Sequence, residues 1–172
     1  MLREDDTLLT FCNQHDRFTC KRERRHIIVN RAIYLRNGQQ PDAAIERAVV
    51  ESGCHIEHTH TIVETLQAIY DYGDEIGQSA HKLGSSLLVV AEVQCGGIPL
   101  LMVVREELRD APSVLLLDRS SDNVRNAVQA LQLGASEYLL GTDSQEERSD
   151  RTRALVERLR LVEADDDEVL PS

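Results

Sequence analysis

Apolar residues in this chain fall into short solid runs separated by longer stretches of helical period. Ala32-Ile33-Tyr34-Leu35 is the first solid run and predicts a strand. Pro41-Asp42 then opens a helix with Ile45, Ala48 and Val49 on one face and Gly53 beyond its end, the usual Pro-in, Gly-out punctuation. Residues 54–60 alternate and predict a second strand. Residues 61–72 predict a helix with Ile62, Leu66, Ile69 and Tyr70 inward, and 73–85, with three glycines, predict a loop. Leu87-Leu88-Val89-Val90 has no polar alternation, as expected of a central parallel strand buried on both faces. Residues 98–108 predict an apolar helix, although 100–104 alone would pass for a strand. Val114 to Leu117 reads as the fourth strand, and Ser121-Asp122 caps a helix with Val124, Ala127, Val128 and Leu131 inward. Tyr138-Leu139-Leu140 is the fifth strand, and 145–163 the last helix, with Leu155, Leu159 and Val162 inward.

Buried strands alternating with helices predict an α/β fold with a parallel sheet covered on both faces. Right-handed crossovers leave few topologies. The common doubly wound answer at this length is the flavodoxin-like five-stranded sheet, strand order 2-1-3-4-5. With 172 residues the chain is expected to form one domain, 26–163. An arm or extra edge element at 1–25 precedes it, and an acidic tail at 164–172 follows.

The net charge of -11 argues against a nucleic-acid or membrane-surface binder. The basic cluster Lys21-Arg22-Glu23-Arg24-Arg25 reads as a solvated arm or, alternatively, a recognition arm. No apolar run nears the ~20 residues of a membrane span, and Met1 to Asp6 lacks a signal peptide's apolar stretch. Cysteines 12, 20, 54 and 95 form no CxxC pair, so a cytoplasmic location with reduced thiols is expected. Lysine occurs only at Lys21 and Lys82, so a site that needs one has almost nowhere to find it.

Several constellations bear on chemistry. His58 and His60 share a strand face while His55 points the other way, which suits edge histidines better than a metal site. Cys12, His15 and Cys20 lack a fourth ligand for zinc. Gly96-Gly97 would let a phosphate approach, but without a GxGxxG or P-loop pattern a loop role is the better reading. No GxSxG is present, and Ser120-Ser121 reads as a cap that could hold an anion. Asp118, at the carboxyl end of a strand where α/β folds place their sites, is the best single polar candidate.

The stretch from Ala111 to Thr142, and above all Gly134-Ala135-Ser136-Glu137-Tyr138-Leu139-Leu140, resembles the second half of a response-regulator receiver (CheY-like) domain. The resemblance extends weakly back to about Ala32. In that family an Asp at the end of the third strand takes a phosphoryl group, helped by Mg²⁺ on acidic residues after the first strand, a hydroxyl after the fourth and a Lys after the fifth. Here the acidic pair falls on Arg36 and Asn37, the acceptor on Ala91 with Glu92 beside it, the hydroxyl near Asp118 or Arg119, and the Lys on Gly141. The resemblance therefore implies a degenerate pseudo-receiver. It would act in signal transduction through protein–protein contact, with no phosphorelay chemistry of its own, no enzyme activity and no cofactor. Arg36 is expected to lie between Glu92 and Asp118 and to pair with at least one of them. The family's contact face maps onto Arg125 and Gln129 of the fourth helix, Tyr138 of the fifth strand, and Arg151 and Arg158 of the fifth helix. Partners would be other proteins with acidic surfaces, a homodimer through that face included, and neither nucleic acid nor membrane. A Tyr138→Ala, Arg125→Glu pair is expected to abolish binding while leaving the melt nearly unshifted. The rival reading is a small flavodoxin-like enzyme or ligand-binding domain using the loops after Leu35, Val90 and Leu117.

Overall fold

The computed structural model of the chain describes residues 31–36, 38, 40–78, 83–120 and 124–165. Five strands, β1 (Arg31–Leu35), β2 (His55–Thr59), β3 (Leu87–Glu92), β4 (Ser113–Asp118) and β5 (Glu137–Leu140), form one sheet in the order β2-β1-β3-β4-β5. Every neighbouring pair is parallel. Helices α1 (Ala43–Glu51), α2 (Ile62–Glu75), α3 (Gly97–Glu107) and α4 (Val124–Gln132) supply the four crossovers, and α5 (Gln145–Asp165) follows β5. The expected fold class and strand order are those observed.

Period-two alternation along the central strands divides the core in two. Ala32, Tyr34, Leu88, Val90, Leu115, Leu117 and Leu139 face α1 and α5. Ile33, Leu35, Val89, Ala91, Val114, Leu116 and Tyr138 face α2, α3 and α4. Local chemistry closes the helix ends. The Asp42 carboxylate accepts from the N–H groups of Ala44 and Ile45, and Thr61 accepts from Glu64 N–H. The free edge of β5 is capped by side chains of the same molecule. Tyr138 N–H donates to Glu137, Tyr138 C=O accepts from Arg151, and Leu140 N–H donates to Asp143. Capping of this kind blunts an edge against strand addition.

Several elements differ from the expected ones. Helix α2 continues past 72 to Glu75, and Gly84–Ser86 form a 3-10 turn within the expected loop. Tyr72, not Tyr70, is the inward aromatic; its hydroxyl donates to Ser86 C=O and the Arg31 guanidinium lies over its ring. In α4, Ala130 is the fully buried residue, while Val124, Val128 and Leu131, expected inward, are exposed. His58 pairs with Glu46 at 3.0 Å and His60 meets the Arg36 carbonyl, so both serve contacts between elements. The expected arm at 1–25 with Cys12, His15, Cys20 and Lys21, and also Asn37, Lys82, the Ser121-Asp122 cap and most of the acidic tail, lie outside the described residues.

Candidate functional site

The carboxyl ends of β1, β3, β4 and β5 meet at one edge of the sheet, and alternation sorts the polar residues there into two networks. Glu92 continues the β3 face that carries Leu88 and Val90, toward α1 and α5. Asp118 continues the β4 face of Val114 and Leu116, toward α4. Ala91 is a core methyl among α2, α3 and α4, so the carboxylate at the end of β3 is that of Glu92.

The Glu92 network is ionic. Its side chain is 3% exposed and accepts from the Arg119 guanidinium at 2.8 Å. The Tyr34 hydroxyl donates to the same oxygen at 3.4 Å and accepts from Asp42 N–H, while the Cys95 thiol faces the other oxygen at 3.7 Å. Arg119 also donates to the Gln40 carbonyl, tying the end of β4 to the loop before α1. Burial disfavours the charged guanidinium, but Glu92 outweighs it and the pKa of Arg119 stays above its ordinary value. Burial pushes the Tyr34 hydroxyl well up, so it acts as a neutral donor. The cation on Glu92 is therefore Arg119, where the sequence pointed to Arg36. The backbone of Arg36 is bound to the end of β2, its N–H donating to Thr59 C=O.

The Asp118 network is made of neutral donors. One carboxylate oxygen accepts from Gln94, from Ser120 N–H and from the Ser120 hydroxyl; the other accepts from Tyr138 at 2.8 Å. Burial alone would raise the Asp118 pKa, but these hydrogen bonds, led by Ser120 N–H, outweigh it and hold the carboxyl below its usual range. The Tyr138 hydroxyl is pushed up, first by burial and then by Asp118. Gln94 joins the two networks, since its carbonyl accepts from Arg119 N–H. Sequence reasoning passed over Tyr34 and Gln94, and matched Arg119 only to the family's hydroxyl position without seeing it as the cation on Glu92; the usable signal was an Arg at a strand end in a chain nearly without lysine.

Gly141 closes the site by backbone contact. Its N–H donates to Asp118 C=O at 2.6 Å, and a Cβ there would lie 2.9 Å from the Arg119 Cα. The position matched to the family's Lys therefore has no room for any side chain. Arg148, buried beside it, binds Asp42 at 3.0 Å and donates to the carbonyls of Gly141 and Asp143. Gly96 takes a left-handed φ of 92°, and a Cβ on Gly97 would press on Glu92 C=O, so the glycine pair serves the turn into α3.

Mg²⁺ asks for several hard oxygen ligands with room for water. Here Glu92 holds a guanidinium, Asp118 is filled by four donors, and Arg36, the position that the resemblance matches to a carboxylate, is a cation. Among the described residues no three His, Cys, Asp or Glu side chains converge. These residues do not fit the metal.

The expected contact face is partly engaged within the molecule. Tyr138 is 4% exposed and points inward. Arg151 pairs with Glu137 at 2.6 Å and Asp143 at 3.4 Å, and Arg158 with Glu137 at 3.5 Å, so acidic neighbours offset the expected basic rim. Arg125 and Gln129 are exposed on α4.

Asp118 makes acid stability measurable. Its folded pKa lies below the ordinary carboxyl value near ~3.9, so its contribution is fully present above that value and is lost as pH falls through the folded pKa. Denaturant midpoints between about pH 6 and 2.5 should fall less steeply for Asp118→Asn than for the parent. Equal slopes would show that Asp118 does not carry the acid response.

No family model matches the chain, and no curated protein matches it. Solved structures do. A response-regulator receiver domain from Rhodospirillum rubrum is 20% identical, over 76% of this chain and 94% of that one, with a TM-score of 0.56. A response regulator from Thermotoga maritima is 15% identical over 76% and 99%, with a TM-score of 0.54. A receiver domain from Bermanella marisrubri is 19% identical over 73% and 97%, with a TM-score of 0.52. At such identities the likeness establishes the architecture: this chain is built on the receiver fold of CheY-like response regulators.

Proposed function

We propose that this chain is a receiver-like module of a signal-transduction pathway that acts by binding other proteins and does not take up a phosphoryl group by the receiver mechanism. The supporting observation is the closed state of the strand-end site. Glu92 is covered by Arg119, Asp118 by four donors, and Gly141 leaves no space for a lysine. A carboxylate held this way is a poor nucleophile, because attack must first break its ion pair. The same closure speaks against the ligand-binding alternative, which needs converging polar groups open to a ligand. A groove of about 430 Å³ runs between α1 and α5, lined by residues from Ala44 to Glu51 and from Gln145 to Arg153, and Arg153 there pairs with Glu51 and Asp150.

The contact face in this reading is α4 with β5 and α5, presenting Arg125, Gln129, Arg151 and Arg158, with Tyr138 behind it as a buried support. Self-association through that face belongs to the same proposal, as does a cytoplasmic setting. No helix among the described residues is long and apolar enough to cross a membrane.

Incubation with Mg²⁺ and acetyl phosphate tests the chemistry. Intact-mass measurement should show no base-labile phosphoryl adduct. A stoichiometric adduct on Glu92 or Asp118 would overturn the reading.

A further inference from the structure

Helix α4 packs through one flank and shows its apolar stripe on another. Ala130 is fully buried and Ala127 is packed against the core, whereas Val124, Val128 and Leu131 are 68%, 48% and 50% exposed. At 3.6 residues per turn these three side chains lie within about 60° of one another, centred roughly 130° round from Ala130. A surface helix ordinarily turns such a stripe to its own core.

The size and charge of the stripe indicate what would cover it. Three half-exposed side chains offer far less than the ~800 Å² per partner of a standard interface. They suit a short segment with one or two apolar anchors. The nine residues of α4 hold one cation, Arg125, and no carboxylate, in a chain of net charge -11. An acidic segment with adjacent apolar residues is complementary. This sequence contains one: Asp165-Asp166-Asp167-Glu168-Val169-Leu170.

Reach decides which copy supplies it. Both helices start at the carboxyl ends of their strands and run back along opposite faces of the sheet. Helix α5 has 21 residues and α4 has 9. At 1.5 Å per residue α5 ends about 18 Å beyond α4, and helices on opposite faces lie about 20 Å apart, so the gap is roughly 27 Å. Leu170 lies five residues past Asp165 and spans at most about 18 Å. The segment cannot reach the stripe of its own chain.

We propose that the exposed stripe of α4 docks the acidic segment 165–170 of a second copy, with Val169 and Leu170 against Val124, Val128 and Leu131. This rests on the reading of the chain as a contact module and names the contact.

Sedimentation of the full chain from about 10 to about 500 µM, a range that brackets weak segment docking, tests it. The parent should self-associate. Val128→Glu with Leu131→Glu, at exposed positions, should weaken association at least tenfold with an unchanged melt. Val169→Asp with Leu170→Asp should do the same. Mixing the two double variants should restore association, because one keeps the stripe and the other keeps the segment. A segment variant that associates like the parent overturns the docking proposal but leaves self-association through α4, β5 and α5 standing. A parent that stays monomeric throughout overturns both. A mixture that fails to recover shows that the stripe and the segment are not partners.

Discussion

Tyr138→Ala is expected to lower stability by about 3–5 kcal/mol, the usual cost of truncating a buried aromatic. The ring lies in the core beneath α4, and its hydroxyl is one of the four donors on Asp118. Truncation opens a cavity and leaves a buried carboxylate one donor short. Tyr138→Phe separates the two effects, because it keeps the ring and removes only the hydroxyl, at about 1–3 kcal/mol. The measurement is a urea titration at neutral pH, supported by a melt in which the Ala variant should lose about 10 °C or more. This reverses the sequence expectation that Tyr138 could be cut back without touching the fold. Contact-face variants should change Arg125 and Gln129 and leave Tyr138 in place. An Ala variant that melts with the parent would mean that the ring is not held inward.

The second large effect is expected at Arg119. Arg119→Met leaves Glu92 buried without its cation, and breaking a buried pair from one side costs about 3–5 kcal/mol. The Arg119 side chain is 30% exposed, so the low end, about 3 kcal/mol, is expected. Combining Arg119→Met with Glu92→Leu removes both charges and should recover most of the loss, because a buried pair often does little better than an apolar replacement. The four-variant cycle of urea midpoints measures the coupling. A single variant within about 0.5 kcal/mol of the parent would show that Glu92 is rehydrated when Arg119 is lost. The same cycle shows whether the closed strand-end site depends on this ion pair.

Failures of the sequence reading concentrate where two elements meet. The α4 pattern of Val124, Val128 and Leu131 has helical period, and period alone says which residues share a face, not which face meets the sheet. The cation on Glu92 was sought on β1 because the family's acidic pair lies there. The actual donor comes from the first residue past β4, the neighbour of β3 on its other side. Gly141 read as a lost lysine, yet it is a position that backbone approach keeps free of any side chain.

By itself the sequence determined the strands, the helices and their order, because period-two and period-3.6 burial are written in neighbouring residues and a parallel sheet follows from alternating elements. Through the resemblance it also raised the expectation that the acidic, hydroxyl and lysine positions of a receiver are not filled in kind. Only the tertiary structure decided what those positions do instead. Which guanidinium meets Glu92, which hydroxyl fills Asp118 and which flank of α4 stays bare depend on distances between residues 20 to 60 apart in the chain. Those distances are set by how the helices settle on the twisted sheet, and no local pattern encodes them.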